Sequence, residues 1–255
     1  MNFPCRTRTQ FAVALAALAS TLFPVKAVRA DDHLTVFELP NAVPLKTIST
    51  IHRVRAAGKS WKAFGCYPEF TASTPLTVFV GNALRERCLR DFNSAIPDLK
   101  AAEPDPGIPM TFYYQEAPQV MLYEPNHLIA VADLSDEFRG GMHDLNAVEC
   151  TNFGVVNGRA RALALSDFFL PGTRYRKYVE AALERKLLAV TTSNLALGGG
   201  MDWSRNQVLE NFLVYPDGLV WEFNPYVAGS FGAGILRVKL TWAELGPRQN
   251  SAMRP

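Results

Sequence analysis

Hydrophobic spacing changes period several times along this chain, and each change marks an element. Phe11 to Phe23 is apolar and uncharged, follows Arg6 and Arg8, and leads to small residues around Val28-Arg29-Ala30. That order of basic, apolar and small segments is an export signal, expected over residues 1–30. Its uncharged run, Thr9 to Val25, includes Pro24 and is shorter than the roughly 20 residues a membrane span needs. Alternation then predicts strands at residues 33–38 and 48–54, and an irregular or short extended segment at 61–70. Leu76, Val78 and Val80 read as a further strand, broken at Gly81-Asn82. Leu84, Cys88, Leu89, Phe92 and Ile96 fall on one stripe and predict a helix over 83–99.

Strands are expected at 111–115 and 119–123, separated at Glu116-Ala117-Pro118, and again at 127–134. Another pair, 147–156 and 160–165, flanks Asn157-Gly158, a hairpin signal. Tyr175, Tyr178, Val179, Ala182, Leu183 and Leu187 predict an amphipathic helix over 173–190, followed by a glycine-rich loop at 193–200. Residues 211–215 and 219–223 form the clearest hairpin, in which Asp217-Gly218 is expected to supply positive φ angles. A last strand over 235–240 leads to Trp242–Leu245 and a frayed tail, 246–255. The expected fold class is α+β: an antiparallel sheet with two main helices in a single domain, or two small α/β subdomains. Residues 31–126 form the N-terminal half and 127–245 the C-terminal half.

Charge changes meaning once the export signal is set aside. The 255 residues hold 26 basic and 24 acidic side chains. Removing residues 1–30 takes Arg6, Arg8, Lys26 and Arg29 and no acid, so the net charge moves from +2 to −2. A mildly acidic exported chain carries no electrostatic footprint for nucleic acid, and no later segment approaches membrane-spanning length. An oxidising compartment makes one disulfide plausible among Cys66, Cys88 and Cys150. Three pairings are open; Cys66–Cys88 is favoured, which leaves Cys150 over.

Catalytic patterns are absent. There is no G-x-S-x-G elbow, no H-E-x-x-H, no C-x-x-C, no P-loop and no dinucleotide fingerprint. His33, His52, His127 and His143 are scattered, so neither a metal nor another cofactor is expected. Asp133 with Asp136 and Glu137 reads as a solvated loop rather than a catalytic carboxylate pair.

Two stretches carry a family resemblance. The first runs from Gly140-Gly141-Met142-His143-Asp144-Leu145-Asn146 through Asn152-Phe153-Gly154 and Asn157-Gly158-Arg159 to Leu163–Phe169. The second is Phe212 to Tyr226, with Asp217-Gly218-Leu219 and Phe223-Asn224-Pro225-Tyr226 at its heart. Together they resemble the extracellular domain of the lysozyme-sensing anti-sigma factor family. The same domain precedes the catalytic domain of certain peptidoglycan deacetylases, and a related fold occurs in a secreted mycobacterial immunogenic protein. The resemblance spans about residues 127–245. It departs from the family at Met142, where an alanine is usual, and at Asp167-Phe168-Phe169. The sigma-binding segment, the membrane span and the deacetylase domain of those proteins have no counterpart here.

The resemblance implies a non-catalytic module, periplasmic or secreted, that recognises peptidoglycan or a lysozyme-type hydrolase. Gly140, Gly141, His143, Asn146, Trp203 and Tyr226 are the binding candidates. Asp217, Gly218, Asn224 and Pro225 are assigned to turns. Tyr226 is expected to bury its ring while its hydroxyl finds a partner, and Trp203, in a loop, to offer a ligand surface. Two other readings remain open: a cell-envelope hydrolase or esterase centred on His143, and a structural envelope protein.

Overall fold

Seven consecutive residues of one strand, Leu128 to Leu134, are all buried, so that strand must be covered on both faces. The computed structural model describes residues 27–30, 34–37, 39–102, 111–190, 203, 206–228 and 234–255. A short ribbon pairs β1 (Ala27–Ala30) with β2 (Leu34–Phe37). The one-turn helix α1 (Leu45–Ile48) then leads into a six-stranded sheet. Its strands, in spatial as well as sequence order, are β3 (Ser49–Ala57), β4 (Trp61–Phe70), β5 (Phe112–Glu124), β6 (Leu128–Phe138), β7 (Leu145–Val156) and β8 (Arg159–Leu163).

Neighbouring strands are antiparallel except β4 and β5, which are parallel. The helix α2 (Pro75–Ala101) makes that crossover, because parallel neighbours need a long connection. The expected antiparallel sheet is therefore mixed at one pair. Along α2, Leu76, Val80 and Leu84 pack on Val120, Ile129, Val131 and Phe153. Further along, Phe92, Ala95 and Leu99 pack on Ala63, Phe112 and Tyr114.

The opposite face of the sheet is covered by a second, three-stranded sheet. It contains β9 (Phe212–Tyr215), β10 (Gly218–Phe223) and β11 (Leu236–Thr241), with β10 central and both pairings antiparallel. The helix α3 (Tyr175–Val190) lies against β11. Val179, Leu183 and Leu187 join one continuous core with Trp221, Phe212 and the β6 residues Leu128, Ala130, Ala132 and Leu134. The short helices α4 (Asn206–Glu210) and α5 (Trp242–Leu245) flank the small sheet. Every side chain of β9 and β10 is buried, as expected of a sheet packed on both faces.

Three asparagines fasten the two sheets. β8 pairs only with Asn152–Val156 of β7, leaving the rest of that edge open. There Asn224 donates to the Val148 carbonyl and accepts from the Val148 N–H. Asn211 accepts from Cys150 N–H and donates to the carbonyls of Val148 and Glu222. Asn152, 1% exposed, donates to the Phe212 carbonyl and accepts from Val214 N–H. Each side-chain amide stands in for a peptide group, so the edge is satisfied without a further strand.

Several expectations are corrected. Residues 75–80 are the first turns of α2, and the region 61–70 is a full strand. β5 runs unbroken through Ala117-Pro118, with its irregularity between Val120 and Leu122. The tail 246–255 is docked. Met253 is buried, Asn250 N–H donates to the Phe168 carbonyl, and the Arg254 guanidinium sits 5.2 Å from the Trp242 ring centroid.

The Asp217-Gly218 turn lacks the expected positive φ angles. Pro216 takes the first loop position of the Tyr215–Gly218 turn, and its ring holds φ negative. Gly218 is needed for another reason. A Cβ there would lie 2.8 Å from Thr241 Cα and still closer to the Leu240 carbonyl. The favoured Cys66–Cys88 disulfide is also absent, and Cys66, Cys88 and Cys150 are all buried thiols. Gly65 is the residue facing Cys88, since a Cβ on it would lie 2.8 Å from Cys88 Sγ. Successive strand residues point to opposite faces, so Cys66 is turned away.

Candidate functional site

The β6–β7 connection carries the Gly140-Gly141 pair, with φ of +98° and +109°. That left-handed backbone suits glycine and swings the next residues outward. Met142 is 98% exposed at its tip, His143 is exposed, and Leu145 opens β7. At the end of β10 the chain leaves the sheet through Asn224-Pro225-Tyr226, where Tyr226 has φ +67°. The Tyr226 ring is 64% exposed, contrary to the expected burial, and its hydroxyl lies 3.3 Å from His143 Nε2. His143 Nδ1 is 3.2 Å from the Asp144 carbonyl oxygen. Two binding candidates, 83 residues apart in sequence, thus meet on one surface.

Beneath them lies a row of polar residues on the sheet. Gln115, Asp136 and Asn146 face one another across β5, β6 and β7. Gln115 Nε2 donates to Asp136 Oδ2 at 2.8 Å, and the Tyr113 hydroxyl approaches the same carboxylate at 3.3 Å. Burial raises the pKa of Asp136, and nearby Asp144 adds to the rise, against the lowering effect of Gln115 and Tyr113. The Tyr113 phenol is pushed up, first by burial and then by Asp144 and Asp136. The site is therefore a partly sheltered acidic floor, Asp136 and Asp144, under an exposed rim of Met142, Leu145, Tyr226 and Val227. Asn146, Gly140, Gly141, His143 and Tyr226 all belong to it.

Trp203 does not. Its ring packs on the core, 6.4 Å from the Phe223 centroid and edge-on, and its carbonyl accepts from Arg176. Asn224 and Gly218 serve the sheets, as described, and Asp217 pairs with Lys239.

A second acidic cluster was hidden in the sequence. Asp133 and Asp136 both lie on β6 and are buried, so they are no solvated loop. Three residues apart in a strand, they point to opposite faces. Asp133 lies under α2, where Arg87 Nη1 donates to it at 3.0 Å and Arg87 Nη2 donates to Thr151 Oγ1. Glu116 of β5 shares that space and accepts a 2.6 Å hydrogen bond from the Tyr114 hydroxyl. Burial, then the Asp133 charge, pushes the Glu116 carboxyl up to about 7. Burial likewise lifts Asp133 to about 6, against the Arg87 charge. Glu116 and Asp133 are 3% and 7% exposed, so a ligand reaches them only if α2 moves. Period-2 patterning would have signalled them only as acids at inward positions of long apolar strands. Among the described residues no group of three or more His, Cys, Asp or Glu could hold a metal ion. No helix among them is long and apolar enough to cross a membrane.

No known family model matches the sequence, and no curated relative does either. The fold, however, has solved counterparts in the DUF3298 family. A DUF3298 family protein from Pseudomonas aeruginosa PAO1 superposes with a TM-score of 0.58 at 16% identity, over 83% of this chain and 99% of that one. A DUF3298 member from Bacteroides fragilis superposes with a TM-score of 0.55 at 16% identity, over 80% of this chain and 94% of that one. At that identity the likeness establishes a shared α+β fold: a six-stranded sheet, a three-stranded sheet and few helices.

Proposed function

We infer that this chain is an exported, non-catalytic recognition module of the cell envelope, acting through the rim around Tyr226 and His143. The carrying observation is that rim: Met142 at 98%, Tyr226 at 64%, Leu145 at 49% and Val227 at 40% exposure, gathered over Asp136 and Asp144. Exposed apolar and aromatic side chains beside carboxylates suit a protein partner with a basic surface. Of the two partners the sequence resemblance suggests, that chemistry favours a basic lysozyme-type hydrolase over peptidoglycan. Tyr226, whose hydroxyl lies beside His143 Nε2, suits an exposed recognition surface, since its aromatic ring can pack on a partner while the hydroxyl stays hydrogen-bonded.

The test is binding of the purified protein to c-type lysozyme and, in parallel, to insoluble peptidoglycan. Saturable lysozyme binding that inhibits the enzyme is expected. Tyr226→Ala and Met142→Glu should each weaken it about tenfold or more, the usual cost of losing an interface anchor. Binding to peptidoglycan alone would make this a wall-attachment module. Binding to neither would sink the reading.

A further inference from the structure

At the end of the molecule where α2 begins, a cleft of about 460 Å³ opens between that helix and β4 near the sheet edge. One wall is Tyr67 to Phe70 of β4, with His52 of β3 beside it. The other is formed by Thr77, Val78, Gly81, Asn82 and Arg85 of α2. The His143 loop lies at the far end of α2, where Arg139 of the β6–β7 connection pairs with Asp98. The cleft is thus separate from the site described above, and its function does not rest on that site.

Three features define what the cleft can hold. First, His52 stacks on Tyr67 with 5.2 Å between ring centroids and 15° between planes, and His52 Nε2 lies 2.7 Å from Glu69 Oε2. Tyr67 therefore belongs to an aromatic plate held in place by Glu69. Second, the exposed side chains of Arg85 and Asn82 form no ion pair or hydrogen bond among the described residues. A guanidinium and an amide in one concave wall are left for a ligand. Third, Gly81 leaves space in that wall. A Cβ there would meet only the Pro68 carbonyl at 3.7 Å and Phe70 at 3.8 Å, with normal helical backbone.

We propose that this cleft binds a pyranose sugar bearing a carboxylate. The Tyr67–His52 plate offers an aromatic surface to the apolar face of the ring. Arg85 pairs with the sugar carboxylate in a planar, charge-assisted contact. Asn82 and Glu69 take the hydroxyl or N-acetyl groups. The volume fits a mono- or disaccharide and is at the small end of ligand pockets, which run from about 300 to 1,000 Å³.

The experiment is calorimetric titration of the purified protein with N-acetylmuramic acid, glucuronic acid and, as the neutral control, N-acetylglucosamine. The acidic sugars are expected to bind and the neutral one to bind at least tenfold more weakly, the scale set by a hydrogen bond to a charged group. Arg85→Gln should remove that preference. Gly81→Leu, which fills the cleft at a helical position where glycine is disfavoured, should abolish binding while the melting temperature holds or rises. No heat with any sugar up to about 10 mM, a concentration at which even very weak sites fill, would overturn the proposal. So would binding that survives both substitutions, or equal affinity for acidic and neutral sugars. Lysozyme binding should be untouched by either variant, so failure here and failure at the Tyr226 rim are separable.

Discussion

Single backbone contacts decide much of how the two sheets fit. Gly218 pairs with Thr241 at the start of the β10–β11 ladder, and a Cβ on it would run into the backbone of Leu240 and Thr241. Gly218→Ala should cost about 2–4 kcal/mol, because backbone rather than a flexible side chain must move. A chemical denaturation midpoint that stays unchanged would show that the strands separate easily. Asn152→Leu should cost a similar amount, roughly 2–4 kcal/mol. It leaves the Phe212 carbonyl and the Val214 N–H buried without partners. The Asn-Phe-Gly and Phe-Asn-Pro-Tyr strings were conspicuous in the sequence, yet their work is not visible there. An asparagine that imitates a peptide group reads the same as one in a turn, and only the open edge of β7 separates the two.

At the scale of elements, α2 shows where sequence patterning is legible and where it fails. Over residues 83–99 it carries a clean apolar stripe that predicts the helix observed there. Its first two turns alternate at Leu76, Val78 and Val80, which imitates a strand. What decides is the start. Thr74 accepts from Thr77 N–H, Thr77 returns a bond to the Thr74 N–H, and Pro75 occupies the first helical position. Once nucleated, the helix continues through Gly81-Asn82 because Leu76, Val80 and Leu84 are buried against the sheet.

The same packing buries Glu116 and Asp133, with a consequence for pH. The Glu116 carboxyl titrates near 4.5 when unfolded and near 7 when folded, and Asp133 near 3.8 and 6. Between those values the folded state holds the protons that the unfolded state has released. Stability contributed by the protonated acids is therefore full at low pH and is lost as pH rises through about 4 to 7. The melting temperature should fall across that window. Glu116→Gln, which keeps a neutral side chain in the same place, should flatten about half of the fall, the rest being carried by Asp133. A wild-type profile that rises with pH would show that the two acids ionise freely under the helix.

For the molecule as a whole, the two chain ends behave oppositely. β1 pairs with β2 alone, in a ribbon outside both larger sheets. Cleavage after Ala30 would remove β1 and leave every strand of the six- and three-stranded sheets in place. A protein beginning at Asp31 should therefore melt within about 2 °C of one beginning at Ala27, since no strand of either larger sheet loses its partner. The other end is built into the core. The bridge between Phe169 and Gln249, the bond from Leu170 N–H to the Arg248 carbonyl and buried Met253 close the molecule over Phe168 and Trp242. His127, on the turn before β6, lies 3.1 Å from the Arg254 carbonyl and ties this segment to the large sheet. The polar composition of residues 246–255 hid this, because the segment is held mainly by backbone bonds and one methionine. Ending the chain at Leu245 exposes Phe168 and Trp242 and loses the buried Met253, each worth roughly 1.5–3 kcal/mol when fully buried. At about 2–4 °C per kcal/mol for a chain of this size, the melting temperature should drop by about 8 °C or more. A drop of less than about 2 °C would mean that the segment rests on the surface without supporting the core, and the contacts across Phe168 and Trp242 would have to be reassigned.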